Sequence, residues 1–195
     1  LLYHSLSGRC MHRTFNCSIT AFLPQGEEDD DTLTAVHRKA ADTRPLNMKN
    51  TDCKLATSSM NRNSRSTLTN GLCRLQRGFV PGRQLLENVV DIDAFAHAFA
   101  LAATPGDVPI MVLYDFAAAC PSVSHSSLFL TLAAMHFPAG YINHIQNLYS
   151  NNHAYYKHDG DTTFIFTVVS GILQGCPLSG LLFAVVIDPF LRHFK

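Results

Sequence analysis

The sequence predicts an α+β domain, and three observations carry that prediction. Ile110 to Tyr114 is an unbroken apolar run that ends on Asp115, short enough for a strand buried on both faces. Tyr141, Ile142, Ile145, Leu148 and Tyr149 recur at helical spacing. Ala154 to Lys157 and Thr162 to Val169 flank His158-Asp159-Gly160-Asp161, and Asp-Gly between strand-like segments signals a hairpin. Strand, helix, helix, hairpin and helix follow in that order, a segregated rather than alternating pattern.

A chain of 195 residues, 47% of them apolar, suits one domain with a sizeable core. It contains no run of eighteen apolar residues, so no membrane span or membrane partner is expected. Leu1-Leu2 passes at once into Tyr3-His4-Ser5, which is not a leader pattern, and a cytoplasmic or nuclear protein is expected rather than a secreted one. Opening on Leu suits a fragment or a processed product. Cysteines stand at 10, 17, 53, 73, 120 and 176 without a Cys-x-x-Cys pair, so free thiols are expected rather than a disulfide framework. Cys10, His12 and Cys17 supply three zinc-type ligands but no clear fourth.

The formal charge is zero but unevenly spread. Glu27 to Asp31 is five acids in a row, the pattern of a solvated loop. From His37 to Arg83, ten Lys or Arg face only Asp42 and Asp52, a net +8. Such clustering is the footprint of a phosphate-binding surface, and equally of a solvated basic segment. A soft boundary falls near residue 84, giving a basic, partly irregular region over 1–84 and an apolar region over 85–195.

In chain order, residues 1–23 show no strong period, and Phe22-Leu23-Pro24 ends at a turn, Gln25-Gly26. Leu55 to Leu72 is polar and rich in Asn, which predicts an irregular or frayed helix. Gln84 to Ala103 reads as a helix with Leu85, Leu86, Val89, Ile92, Phe95, Ala96 and Phe99 as a core stripe and His97 on the surface. Thr104-Pro105-Gly106-Asp107 stops it. Asp115 at the strand end reads, taken alone, as a cap for the next turn. Ala117 to Ala119 after it leave room over the backbone. Ser124 caps a helix running to His136, and Phe137-Pro138 ends it. A last helix starts near Leu178, with Pro189 expected to kink or restart it.

Two stretches together resemble the reverse transcriptases of non-LTR retrotransposons. Asp115-Phe116-Ala117 after the apolar run resembles their motif A, and Gln174-Gly175-Cys176-Pro177-Leu178-Ser179 with Leu182-Phe183 resembles their motif B. Thr43-Arg44-Pro45-Leu46 followed by Asn50, Asp52 and Lys54 is similar to the family's fingers motif, and Gln76-Arg77-Gly78-Phe79-Val80-Pro81-Gly82-Arg83 to its Gln-x-Gly-Phe-x-x-Gly-Arg signature. The resemblance covers about residues 15–195. It implies a partial right-hand polymerase, with fingers over 1–84 and part of a palm over 85–195, a small antiparallel sheet carrying helices on one face.

The resemblance also implies roles. Asp115 would be catalytic and hold magnesium, of which the intact family uses two ions. Lys54, Arg44, Phe116, Cys120, Gln174 and Gly175 would bind the incoming deoxynucleoside triphosphate. Gln76, Gly78, Phe79, Gly82 and Arg83 would lie on the template. The partners implied are an RNA template and a DNA primer. Two departures stand out. Where the family carries Leu-Pro-Lys-Gly, this chain has Gln25 as the third residue, one cation fewer. Where the family carries Phe or Tyr five places after the motif A acid, under the sugar, this chain has Cys120. The sequence reaches Lys195 without the family's motif C carboxylates or thumb, and Asp188 beside Pro189 falls within the motif B helix instead. The expectation is a reverse transcriptase fragment that binds magnesium weakly at most and is inactive alone. The alternative is a non-catalytic remnant that binds nucleic acid without sequence preference.

Overall fold

The computed structural model describes residues 7, 11, 12, 14–104, 106, 108 and 110–194. Cys10, Pro105 and Asp107, named above in a zinc set and a helix stop, lie outside them. Strand β1 (Ser18–Pro24) and strand β2 (Thr43–Lys49) form an antiparallel pair in which Leu23 faces Arg44 and Pro24 faces Thr43. Helix α1 (Thr51–Gly71) follows, then α2 (Leu86–Ala102), α3 (His125–Ala134) and α4 (Ala139–Tyr149). Strands β3 (His153–His158) and β4 (Asp161–Thr167) make the expected hairpin, and α5 (Ser179–His193) closes the chain. The hairpin turn places Asp159 at φ 45° and Gly160 at φ 91°, the left-handed pair that its Asp-Gly sequence favours.

The class is α+β, as the sequence predicts. The four-stranded sheet has the order β2-β1-β3-β4 and is mixed rather than wholly antiparallel. Its one parallel junction, Ser18 with Ala154 and Ile19 with Tyr155, joins the two hairpins. One core gathers Phe15, Cys53, Met60, Leu68 and Val80 with Leu128, Leu132, Ile145, Leu178, Leu182 and Val185, so it runs across residue 84. No helix among the described residues is long and apolar enough to cross a membrane.

Several expectations require correction. Residues 110–115 form no strand, and Ile110 to Tyr114 are exposed, Tyr114 by 81%. An apolar run becomes a buried strand only where neighbours pair with its backbone and cover both faces, and no described strand pairs with this one. Helix α2 forms where expected, but its stripe is not core: none of its residues is buried, and Phe95 is 75% exposed. Amphipathic spacing selects a face to cover, not the element that covers it. Helix α1, expected to fray, runs unbroken for 21 residues. Asn50 caps it by accepting from the Cys53 amide at 2.7 Å, and burial of Cys53, Thr57, Met60 and Leu68 outweighs weak intrinsic propensity. Helix α5 continues through Pro189 without a restart. Strands β1 and β2, which show no clear period in the sequence, are the main elements missed.

Candidate nucleotide-binding pocket and its supporting loops

A pocket of about 460 Å³ opens where the end of the β1–β2 hairpin meets the turn after Asp115 and the loop before α5. Arg44, Phe116, Cys120 and Gln174 line it, together with Gln25, Thr43 and the Ala117–Ala119 turn. Four of the six residues expected to bind a nucleotide thus converge from three stretches far apart in sequence. Gly175 adjoins Gln174. Lys54, the remaining one, is exposed on α1 and does not line the pocket.

Two glycines explain how the loops meet. Gly175 sits at φ +96°, and a Cβ there would fall 2.7 Å from the Asn47 carbonyl oxygen of β2. The Asn47 amide donates to the Gln174 carbonyl at 3.0 Å, so Gln174 is fixed against the strand that carries Arg44. Gly171 sits at φ +88°, where a Cβ would lie 2.9 Å from the Pro121 backbone. Around it Gly171 donates to the Val123 carbonyl at 2.7 Å, and Ile172 to the Cys120 carbonyl at 2.8 Å. Only glycine combines that backbone region with such close approach. Cys120 is therefore held by the same loop that holds Gln174. Partial burial raises the Cys120 thiol above its usual range, while nearby Arg44 opposes the shift.

Arg44 is exposed at the second position of β2 and forms no ion pair among the described residues. No carboxylate lines its pocket. Its neighbour is Gln25. With the amide oxygen turned toward Arg44, it accepts from Nε at 2.7 Å and from Nη2 at 3.0 Å. The sequence marks Gln25 as a turn residue and a missing cation, not as a partner of Arg44. Its position one residue past β1, diagonal to Arg44 on the same hairpin face, is the signal that identifies it.

Asp115 precedes the pocket and is exposed, without a hydrogen bond or ion pair among the described residues. Phe116 packs edge-to-face on Phe190 of α5 at 5.9 Å between ring centroids. No three His, Cys, Asp or Glu side chains among the described residues come together to hold a metal ion. The donor set around Asp115 does not fit a two-ion centre.

The five residues expected on a template lie in the turn between α1 and α2. Gln76 donates to the Gly78 carbonyl at 2.8 Å, while Phe79, at φ 60° and 68% exposed, meets Phe183 edge-to-face. Gly82, at φ 77°, makes the bend into Arg83. Arg83 faces inward: Nη1 donates to the carbonyls of Cys73 at 2.5 Å and Gln76 at 2.7 Å, and Nη2 to those of Thr69 at 2.6 Å and Leu72 at 3.1 Å. It thereby caps the carboxyl end of α1, where carbonyls lack helical partners and the helix dipole favours a cation. Arg77 is paired with Glu87 at 3.1 Å and Asp91 at 2.7 Å. The basic segment is thus partly neutralised. Arg38 pairs with Asp31 and, through that hydrogen bond first, holds its carboxyl down to about 2. Lys49 is buried and donates to Asn16 and Asn152, and burial lowers its pKa. Lys39, Lys54, Arg62, Arg65 and Arg74 remain exposed without an ion pair among the described residues.

Asp188 serves the same junction from α5. It is 2% exposed, accepts from the Cys73 amide at 2.6 Å, and pairs with Arg192 at 2.5 Å, whose Nη2 reaches the Gly71 carbonyl at 2.6 Å.

The model of the family described as reverse transcriptase (RNA-dependent DNA polymerase) matches residues 36–195. The transposon TX1 uncharacterized 149 kDa protein of Xenopus laevis is 29% identical over 148 residues, which is 76% of this chain and 11% of that protein. The retrovirus-related Pol polyprotein from type-2 retrotransposable element R2DM of Drosophila melanogaster is 30% identical over 120 residues, 60% of this chain and 11% of that polyprotein. The chain thus spans about a tenth of the length of the curated relatives it matches.

Proposed function

Because the chain belongs to the reverse transcriptase family, of the kind found in non-LTR retrotransposons, we propose that the Arg44 pocket is the seat of an incoming deoxynucleoside triphosphate in an RNA-templated DNA polymerase. The observation that carries this reading is the convergence of Arg44, Phe116, Cys120 and Gln174 on one pocket that holds a single cation and no acid.

In this reading the Arg44 guanidinium takes phosphate oxygens, for which its fork is suited. The backbone over Ala117–Ala119 leaves space for the sugar, Cys120 stands at the sugar's edge, and Gln174-Gly175 borders the base. The turn at 76–82 faces the template, with Arg83 holding that turn rather than reaching the strand. Magnesium, which the family uses, supplies charge neutralisation when bound. Asp115 is the one carboxylate here with a family role toward it. Alone, Asp115 does not build the two-ion site that polymerisation uses, so the chain by itself is proposed to be inactive.

The test is primer extension by the purified chain on an RNA template with magnesium and deoxynucleotides. No extension is expected, together with triphosphate binding that Arg44→Ala removes. Extension above a protein-free blank, abolished by Asp115→Ala, overturns the inactivity. A second reading, a non-catalytic module that binds nucleic acid without sequence preference, is favoured by the exposed cations Lys54, Arg62, Arg65 and Arg74.

A further inference from the structure

We propose that Gln25 is the positioning residue of the pocket: it orients the Arg44 guanidinium toward a phosphate group without neutralising it. The inference rests on the nucleotide reading of this pocket.

Gln25 is itself held in place. Its amide donates to the Asp42 carbonyl at 2.9 Å, and its own carbonyl accepts from Arg38 Nε at 2.9 Å. The backbone is therefore fixed on both sides, one residue beyond the β1–β2 pairing. With its amide oxygen turned toward Arg44, the side chain accepts from Nε at 2.7 Å and Nη2 at 3.0 Å. One oxygen shared by the two donors on that edge orients the guanidinium. Nη1 and the second Nη2 hydrogen remain for an anion.

The chemistry of the partner matters. A carboxylate in place of the amide would hold the same fork but cancel its charge and compete with phosphate. A lysine would add a cation but repel Arg44 and offer it no acceptor. The amide oxygen alone orients the fork while leaving it fully charged. Because Arg44 is the pocket's one cation, the direction in which it points decides how well a phosphate is held. The loss of a cation at position 25 is thereby offset by better use of the cation at 44.

The experiment measures binding of a deoxynucleoside triphosphate with magnesium, and of inorganic tripolyphosphate, to the purified 195-residue chain and its variants. Gln25→Ala is expected to weaken both by about tenfold, as for loss of a hydrogen bond to a charged group, with thermal unfolding unchanged. In an Arg44→Ala background Gln25→Ala should have no further effect, because there is no guanidinium left to orient. Gln25→Glu should weaken binding at least as much as Gln25→Ala, which a purely structural role for the side chain would not produce. Binding by Gln25→Ala equal to wild type while Arg44→Ala loses it overturns this inference alone, as does a Gln25→Ala loss that persists without Arg44. Wild-type chain that binds neither probe, or Arg44→Ala that binds as wild type does, overturns the nucleotide reading and this inference with it.

Discussion

Asp188→Ala should be among the most destabilising single changes in this chain that remove no apolar packing. Its carboxylate is 2% exposed and has two partners of unequal weight. The Cys73 amide, on a residue itself buried, donates to it at 2.6 Å and would be left without an acceptor. An unsatisfied buried donor costs about 1–3 kcal/mol. The second partner, Arg192, has a side chain that is 54% exposed, so water replaces much of what the ion pair supplies. That pair is worth about 1 kcal/mol or less. The expected loss is therefore about 2–4 kcal/mol, a large share of the stability of a domain this size. Asp188→Asn keeps an acceptor for Cys73 and loses only the charge, at a cost of about 1 kcal/mol. Urea unfolding followed by far-ultraviolet circular dichroism gives both values. An alanine variant within about 0.5 kcal/mol of wild type, or an asparagine variant as costly as alanine, refutes the weighting of the amide over the ion pair.

Three other perturbations follow from the same geometry. A chimera joining this chain to the remaining palm and thumb of a relative should accept ribonucleotides readily. Cys120→Phe should then restore preference for deoxynucleotides by roughly ten- to a hundredfold, the equivalent of about 1–3 kcal/mol of steric overpacking; an unchanged ratio of incorporation efficiencies rules out a sugar-edge role for Cys120. Replacing Lys54, Arg62, Arg65 and Arg74 with Ala should flatten the salt dependence of RNA binding by about 0.7–0.9 for each phosphate that is no longer neutralised. Arg77→Ala and Arg83→Ala should barely move that slope, because one is paired with Glu87 and Asp91 and the other with four backbone carbonyls at the end of α1 and in the turn after it. Finally, His144 is fully buried, and burial lowers its pKa from 6.5 to about 4. The unfolded chain binds this proton first as pH falls, so stability is intact above about pH 6.5 and declines toward pH 4, by about 3 kcal/mol from this group. His144→Leu should remove that decline from urea-unfolding profiles taken across the window, and an identical profile in both proteins would exclude it.

What the sequence shows of this molecule divides along a physical line. The hairpin at Asp159-Gly160 and the helices α3, α4 and α5 are local events, and their residues announce them, although Ser124 only precedes α3 without a capping side-chain hydrogen bond and α3 ends at Ala134 rather than His136. The pocket is legible through four motif residues that the fold brings together, Arg44, Phe116, Cys120 and Gln174. Gln25 is not, because its value lies in a diagonal neighbour across a hairpin whose strands show no clean alternation. Strands β1 and β2 alternate poorly for a reason seen at Thr20 and Asn47. Both are buried polar residues, satisfied by the hydrogen bond from Thr20 Oγ1 to Asn47 Oδ1 at 2.9 Å, so hydrophobic patterning cannot mark them. Residues 110–114 and helix α2 fail in the opposite way. Their apolar residues signal a covered face, and the described residues do not cover it. Arg83 shows a third limit, since a motif match places a cation near a strand while four carbonyls take up its donors.

The parallel junction between β1 and β3 has a consequence for how the chain is made. Ser18 meets Ala154, and Ile19 meets Tyr155. During synthesis the β1–β2 hairpin can close early, but its inner edge stays unpaired until the ribosome has released a strand more than a hundred residues later. Such long-range closure slows folding and leaves a sheet edge open to other chains meanwhile. The nascent protein is therefore most vulnerable to aggregation in the interval between those two strands, and a chain cut short before His153 would keep that edge permanently open.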